Sequence, residues 1–298
     1  MTPEIADTGL WALLIAPLTE FGFMRRALVG CVALSLSCAP VGVFLLLRRM
    51  SLTGDAMAHA ILPGAAIGYL LAGLSLPAMT LGGIVAGLLV AIGSGLVARS
   101  TVLREDASLA AFYLLSLALG VLIVSTRGSS VDLLHVLFGT VLALNDAALT
   151  LLVGIALFSM AALALLYRPL VLECLDAQFL RCVSPASPVA HYGFLVLLVI
   201  NLVAGFHALG TLMAVGIMVL PAATARLWVR SVPALMALAA ALALAAGVAG
   251  LLISYHADWP TSPTIVLALG AAYLVSLVVG RYGAWRGGQH GRRRHLRA

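Results

Sequence analysis

The stretch from Ala27 to Leu47 reads ALVGCVALSLSCAPVGVFLLL. It contains no charged side chain and is followed directly by Arg48 and Arg49. A helix needs about 20 consecutive apolar residues to cross the hydrocarbon core of a bilayer, so this stretch predicts a membrane-spanning helix. Working outward from it, comparable runs occupy 55–73, 77–98, 107–125, 147–167, 189–206, 209–225, 232–254 and 263–280. The sequence therefore predicts an all-α, polytopic membrane protein with about eight or nine transmembrane helices.

The composition supports this fold class and excludes others. Of the 298 residues, 63% are hydrophobic and 9% are charged, whereas soluble domains have about 45–50% apolar and about 25% charged residues. A soluble enzyme and a disordered chain are excluded, and the long unbroken apolar runs exclude a transmembrane β-barrel. All 17 basic residues are arginine. Since a GxxxxGK[ST] loop requires lysine, the chain has no such loop and is expected to be a transport subunit rather than an ATP-hydrolysing enzyme.

The arginines also predict orientation. They follow alternate spans, and the positive-inside rule makes those ends cytoplasmic and places the N-terminus outside. Six arginines and no acidic residue follow residue 280, so we expect a basic cytoplasmic tail at 282–298, bound at the membrane surface. Residues 1–22 are interpreted as an interfacial segment, and the polar stretch 129–145 as a re-entrant or periplasmic helix.

The sequence SLTGDAMAHAILPG at 51–64 carries the strongest candidate site. Asp55 and His59 are four residues apart and therefore share one helix face. A carboxylate and an imidazole in that arrangement can hold one divalent cation together. The alternative is a buried hydrogen bond that only locks two helices. Pro63 with Gly64, and Pro221 in a later span, are expected to kink or break their helices, and broken helices are typical of transport paths.

Two further sets of ionisable residues are weaker candidates for metal ligands. Asp132 and His135 are three residues apart and can share a face, but they lie in the polar stretch, where solvent can cover them. His207 falls at the outer end of a tight helix pair, among the small residues Gly210 and Thr211. A single histidine is as compatible with packing as with metal binding.

The sequence RPLVLECLDAQFLR at 168–181 joins the fifth and sixth spans. It is short and amphipathic, with acidic residues early and arginine late, which matches the helix dipole. Such a segment lies on a membrane or docks into a groove of a partner.

At this point the chain resembles a known family, the permease subunits of ATP-binding-cassette importers for zinc, manganese and iron(II). The stretch from Gly42 to Gly64 resembles the family signature that ends in GDAxxHAxLPG, which is highly specific. DLLHVLFG at 132–139 and LPAATAR at 220–226 resemble two further family elements. WPTSPTIV at 259–266 resembles a fourth, with Ser262 where glycine is usual. Together these motifs cover about residues 20–280.

The resemblance implies a type II ABC importer-like permease domain at 23–281, in the inner membrane of a bacterium. The family's acid–histidine metal site corresponds to Asp55 and His59. The helix that couples the family's permease to its ATPase corresponds to about 173–183, with these residues as candidate contacts: Glu173, Asp176, Gln178, Phe179 and Arg181. The family works as a homodimer with a separate ABC ATPase and a periplasmic metal-binding protein.

The choice of metal rests on the ligands. Imidazole suits zinc, whereas manganese favours sites richer in oxygen. Asp55, His59 and His207 would form a mixed site with a nitrogen bias, so zinc is the expected transported ion, with no permanently bound cofactor. Manganese or iron(II) transport by the same kind of permease is the alternative. A secondary metal transporter that works without an ATPase is the alternative of another class.

Overall fold

The computed structural model describes residues 17, 20–73, 75–127, 145–176, 179–180, 182, 184 and 186–282. Within helices, the side chains at 99, 105, 124–127, 186 and 207–209 lie outside this description. In the described residues the chain forms nine α-helices: α1 Gly22–Leu47, α2 Thr53–Ala72, α3 Leu76–Ser100, α4 Glu105–Arg127, α5 Asp146–Leu175, α6 Ala186–Leu209, α7 Thr211–Arg226, α8 Val232–Ala257 and α9 Thr261–Val279. The predicted all-helical, multi-pass architecture is confirmed.

Eight of these helices are long and apolar enough to cross a membrane, and α7, with 16 residues, is shorter. The predicted boundaries agree closely with the observed ones except in α5. That helix was expected to end near residue 167 but continues through Arg168 and Pro169 to Leu175. The extra turns persist because Leu170 and Glu173 are buried against the rest of the bundle. The expected interfacial segment, the polar stretch and the basic tail lie almost entirely outside the described residues.

The centre of the bundle is formed by α1 and α6. About three quarters of the apolar window of each helix is buried: 78% in α1 and 72% in α6. Helix α1 packs against α5, α6, α7 and α8, and α6 also packs against α2 and α3. Sequence-adjacent helices run antiparallel, so α1, α3, α5, α7 and α9 all end on the same side. We call this side the arginine end, because Arg48, Arg49, Arg104, Arg226 and Arg230 lie there.

Small residues allow α2 to lie directly against α3. A Cβ atom built on Gly64 would collide with the carbonyl oxygen of Gly82 and approach the Cβ of Ala86 to 2.6 Å. One turn along, a Cβ on Gly68 would meet the backbone of Ala78. Backbone-to-backbone contact of this kind replaces the hydrophobic driving force that is absent between helices in lipid. Gly64 therefore serves helix packing.

The prolines do not break their helices, and the kinks that were expected as the other outcome stay a prediction. Helix α2 runs without interruption through Pro63 and Gly64, and α7 runs through Pro221. Proline removes one backbone donor. In α2, a side chain of a neighbouring helix donates a hydrogen bond to a backbone carbonyl close to the proline. The hydroxyl of Ser116 on α4 donates to the carbonyl oxygen of Ala60 at 3.1 Å, just before the proline. Hydroxyl groups of adjacent helices commonly satisfy backbone groups near a membrane proline in this way.

The contact between α2 and α3 gives a test of this packing. We expect Gly64→Ala to lower the stability of the detergent-solubilised protein by about 1–3 kcal/mol, because the new methyl group forces two backbones apart. Gly154→Ala is the matched control, since a Cβ at Gly154 meets nothing within 4 Å. Thermal unfolding followed by fluorescence-detected gel filtration measures both. Equal melting temperatures for the two variants would show that the helices separate without cost.

Candidate metal site

Asp55 and His59 lie together on one face of α2, close to the arginine end. The Oδ1 atom of Asp55 is 3.8 Å from the Nε2 atom of His59, one helical turn further along. Asp55 lies in the first turn of the helix, where the positive end of the helix dipole stabilises its charge. The side chains are 67% and 37% exposed respectively, so the pair faces outward from the single chain. The expectation of a shared face is confirmed by this geometry.

The spacing of the pair suits a divalent cation. Two donor atoms that each lie about 2.1 Å from a cation, at a tetrahedral angle, are about 3.4 Å apart. The observed 3.8 Å reaches that value with a small side-chain rotation. In the part of the chain that the structure describes, no cluster of three or more histidine, cysteine or acidic residues exists that could hold a metal. A cation at this pair would have two ligands from the chain and would take its other ligands from water or from a second molecule.

The predicted third ligand, His207, is not assembled with this pair. Its backbone lies in the last turns of α6, at the end of the bundle opposite the arginine end. Ile61, two residues beyond His59, and Val203 both pack against Gly83. His207 lies one turn beyond Val203, so the two histidines are separated by about 9 Å along the bundle at 1.5 Å of rise per residue. The structure therefore does not bring His207 to this pair within the single chain, and the mixed site of Asp55, His59 and His207 stays a prediction. Asp132 and His135 lie outside the described residues.

The exposure of the pair has an energetic consequence. An ionisable side chain that faces lipid costs about 2.5–3.5 kcal/mol at the centre of a span on insertion scales, and less towards its ends, where this pair lies. Leu62 and Ala66 continue the same partly exposed face of α2 beyond His59. Such a face is stable in a membrane when water or another protein surface covers it.

The connection between α5 and α6, residues 176–185, is the candidate surface for an ATPase. Asp176 ends α5 and starts a new turn, because its Oδ1 accepts a hydrogen bond from the backbone N–H of Phe179 at 2.9 Å. Phe179 is 57% exposed, whereas Leu180 beside it is buried. An exposed aromatic ring next to an anchored leucine gives this connection an outward apolar face. Gln178 and Arg181 lie outside the described residues.

Glu173 does not belong to that exposed face. It lies inside α5 and is 6% exposed. Its Oε1 atom is 3.2 Å from Nη2 of Arg48, the residue that caps α1, and 3.6 Å from Nδ1 of His191 on α6. In the single chain the carboxylate of Glu173 is occupied by a buried ion pair and is not available at the surface, so this geometry does not support the predicted contact with an ATPase. We call Arg48, Glu173 and His191 the buried cluster.

Sequence reasoning missed His191 and the role of Arg48 in this cluster. Arg48 was assigned only to the end of a span, and His191 was not singled out. The available signal was indirect: an arginine, a glutamate and a histidine each lie at the arginine end of a predicted span. Their pairing joins residues 125 and 143 positions apart in sequence, which no local pattern shows.

Comparison with known proteins adds an independent line of evidence. The model of the ABC 3 transport family matches residues 20–280. The manganese import system permease protein ScaB of Streptococcus parasanguinis is 33% identical over 262 residues, covering 88% of this chain and 92% of that protein. The chelated iron transport system membrane protein YfeD of Yersinia pestis is 29% identical over 269 residues, covering 90% and 89%.

A solved structure agrees over nearly the whole length. The structure of PsaBC from Streptococcus pneumoniae in complex with Fab contains a chain that superimposes with a TM-score of 0.80 at 30% identity, covering 93% of this chain and 99% of that one. The family match spans all nine helices described above. The chain therefore belongs to the ABC 3 transport family, the family of metal-importer permeases that its motifs resemble.

Proposed function

We propose that the metal carried by this permease is manganese and that Asp55 and His59 bind it during transport. The observation that carries the proposal is the pair itself: a carboxylate and an imidazole 3.8 Å apart on the exposed face of a membrane helix. With only two protein donors, the ion is held incompletely. Incomplete coordination suits transport, because the ion must be released after each cycle.

Manganese replaces zinc as the first choice for two reasons. The similar permeases are named for manganese and for chelated iron, and none of those described above is named for zinc. In addition, the two donors that lie together are one carboxylate oxygen and one imidazole nitrogen, a pair without the nitrogen bias that favours zinc. Zinc stays a second candidate, because His59 still contributes one imidazole nitrogen.

We further propose that a second copy of the chain covers the face of α2 that carries the pair. Two copies related by a twofold axis would place two carboxylates and two imidazoles around one path, and an isologous contact uses the same surface on both. This arrangement removes the cost of exposing Asp55 and His59 to lipid and supplies the missing ligands.

The proposed partners complete the importer. A separate ABC ATPase would dock at the arginine end, on the α5–α6 connection, where Phe179 is exposed. A periplasmic metal-binding protein would deliver the ion at the opposite end. The lack of lysine means that the chain has no phosphate-binding loop of its own, in line with the need for a separate ATPase.

Transport by purified components tests the cargo and the site together. In vesicles that contain the chain, its ATPase and its binding protein, we expect ATP-dependent uptake of radiolabelled manganese. We expect Asp55→Ala and His59→Ala each to reduce uptake about tenfold or more, since loss of about 1.4 kcal/mol of metal binding already gives a factor of ten.

Asp106→Ala is the matched control for that experiment. Asp106 is another exposed carboxylate at the arginine end, 3.4 Å from Arg104, and its loss is expected to leave uptake unchanged. Uptake of zinc but not of manganese would show that zinc is the transported metal. Undiminished manganese uptake in both site variants would show that the pair is structural.

The proposed dimer has a direct test. Native mass spectrometry of the complex released from detergent is expected to show two copies of the 30.8 kDa chain per particle. A particle with one copy that still transports metal would contradict the proposal that α2 faces its counterpart.

Docking of the ATPase depends on Phe179 in this scheme. We expect Phe179→Ala to weaken binding of the ATPase by about 2 kcal/mol, the typical effect of removing an aromatic anchor from an interface. Phe158→Ala is the matched control, because Phe158 is 55% exposed, close to the 57% of Phe179, but lies on the membrane face of α5. Titration by microscale thermophoresis measures both, and equal affinities would contradict the assignment.

A further inference from the structure

The buried cluster joins three helices through one guanidinium. Nη2 of Arg48 donates to Nδ1 of His191 at 2.7 Å and to Oε1 of Glu173 at 3.2 Å. A guanidinium can only donate, so Nδ1 of His191 must accept, and the ring is in its neutral form. The side chains of all three are at most 8% exposed. The guanidinium also lies over the ring of Phe194, 4.9 Å from its centroid.

The cluster holds both flanks of the α5–α6 connection. Glu173 lies three residues before Asp176, where the connection begins, and His191 lies in the second turn of α6, just after it ends. Both side chains reach the same Arg48. A displacement of the α5–α6 connection would therefore act on the guanidinium of Arg48 through both Glu173 and His191.

Arg48 also begins the short turn that leads to α2 and the metal pair. The turn between α1 and α2 spans Arg48 to Leu52, with Arg49 in the left-handed conformation at φ 59°. Three of its backbone donors bond to the end of α1: Arg48 N–H bonds Phe44 O, Arg49 N–H bonds Leu46 O, and Met50 N–H bonds Leu45 O. Thr53 N–H bonds Met50 O and opens α2. Asp55 follows two residues later.

We propose that the buried cluster is the mechanical link by which movement of the α5–α6 connection displaces the start of α2 and its metal pair. This inference rests on the proposed function, because it assigns a transport role to residues that touch neither metal nor ATPase. Arg48, Glu173 and His191 are positioning residues. When the α5–α6 connection is displaced, each of these buried side chains either moves with its bonded partners or loses its bonds to them. As long as the bonds hold, the three side chains move together and transmit the displacement.

The test compares transport with ATP hydrolysis in the complete complex. Glu173→Gln keeps the shape of the side chain but removes its charge, and His191→Ala removes the second arm. In both variants we expect ATP hydrolysis to continue while the number of metal ions imported per ATP falls about tenfold, within the range typical of coupling between distant sites. Radiolabelled manganese uptake and phosphate release are measured on the same vesicles.

A control and a second readout separate coupling from folding. Asp106→Asn breaks the exposed pair with Arg104 at the same end of the bundle and is expected to leave the ratio unchanged. Spin labels on exposed Cys182, in the connection, and on Leu52→Cys, in the turn, report the distance between the two segments. In wild type this distance is expected to stay constant when ATP is added, and in Glu173→Gln it is expected to change.

Each outcome bears on the proposal. An unchanged ratio of metal to ATP in Glu173→Gln and His191→Ala would overturn it. Uptake and ATP hydrolysis that fall in equal proportion would also overturn it, because a purely structural role predicts that result. Failure of the proposed function gives a different result from failure of this inference. In that case the wild type imports no metal, and the Asp55→Ala variant does not differ from it.

Discussion

The position of the buried guanidinium of Arg48 constrains much of this bundle. An arginine stays charged at any pH a cell reaches, so a buried one must be matched by an opposite charge and by hydrogen-bond acceptors. Glu173 supplies the charge and His191 supplies an acceptor. Removal of one partner from such a pair typically costs about 3–5 kcal/mol, because the other charge is left uncompensated. The ends of α1 and α5 and the beginning of α6 are thereby fixed against one another.

The same requirement governs the neutral polar groups deeper in the bundle. Asn201 on α6 is fully buried, and its amide donates to the hydroxyl of Ser159 on α5 at 2.8 Å. The hydroxyl of Ser108 on α4 donates to the carbonyl oxygen of Ser94 on α3 at 2.9 Å. In lipid no water replaces a lost partner, so each bond ties one helix to another. The first bond joins α5 to α6, which carry Glu173 and His191, and the second joins α3 to α4, the two helices that pack against α2.

The sequence predicted the features that depend on local pattern. Apolar length and arginine positions gave the spans, so that 232–254 matches α8 and 263–280 matches α9 within a few residues. Spacing along one helix placed Asp55 beside His59. The features that failed depend on contacts between distant segments. Glu173 was interpreted as part of an exposed amphipathic segment. Its partners lie 125 residues before it and 18 residues after it, so the local sequence does not show them. Pro63 was expected to kink or break α2 because proline lacks a backbone donor, and the packing of α2 against α3 and α4 is not visible in its local sequence.

The tight packing around α2 limits how a metal path can change shape. Gly64 touches the backbone of Gly82 on α3, and the ring of Pro63 fills the space left by Gly120 on α4, 2.6 Å from where a Cβ would lie. Helix α2 therefore cannot rotate about its own axis without moving its two neighbours. Any rotation of α2 would therefore have to carry α3 and α4 with it and would leave the spacing of Asp55 and His59 unchanged. Under the proposed assignment of this pair, a change of cargo during evolution is easier by exchanging the donor atoms at positions 55 and 59 than by altering the distance between them.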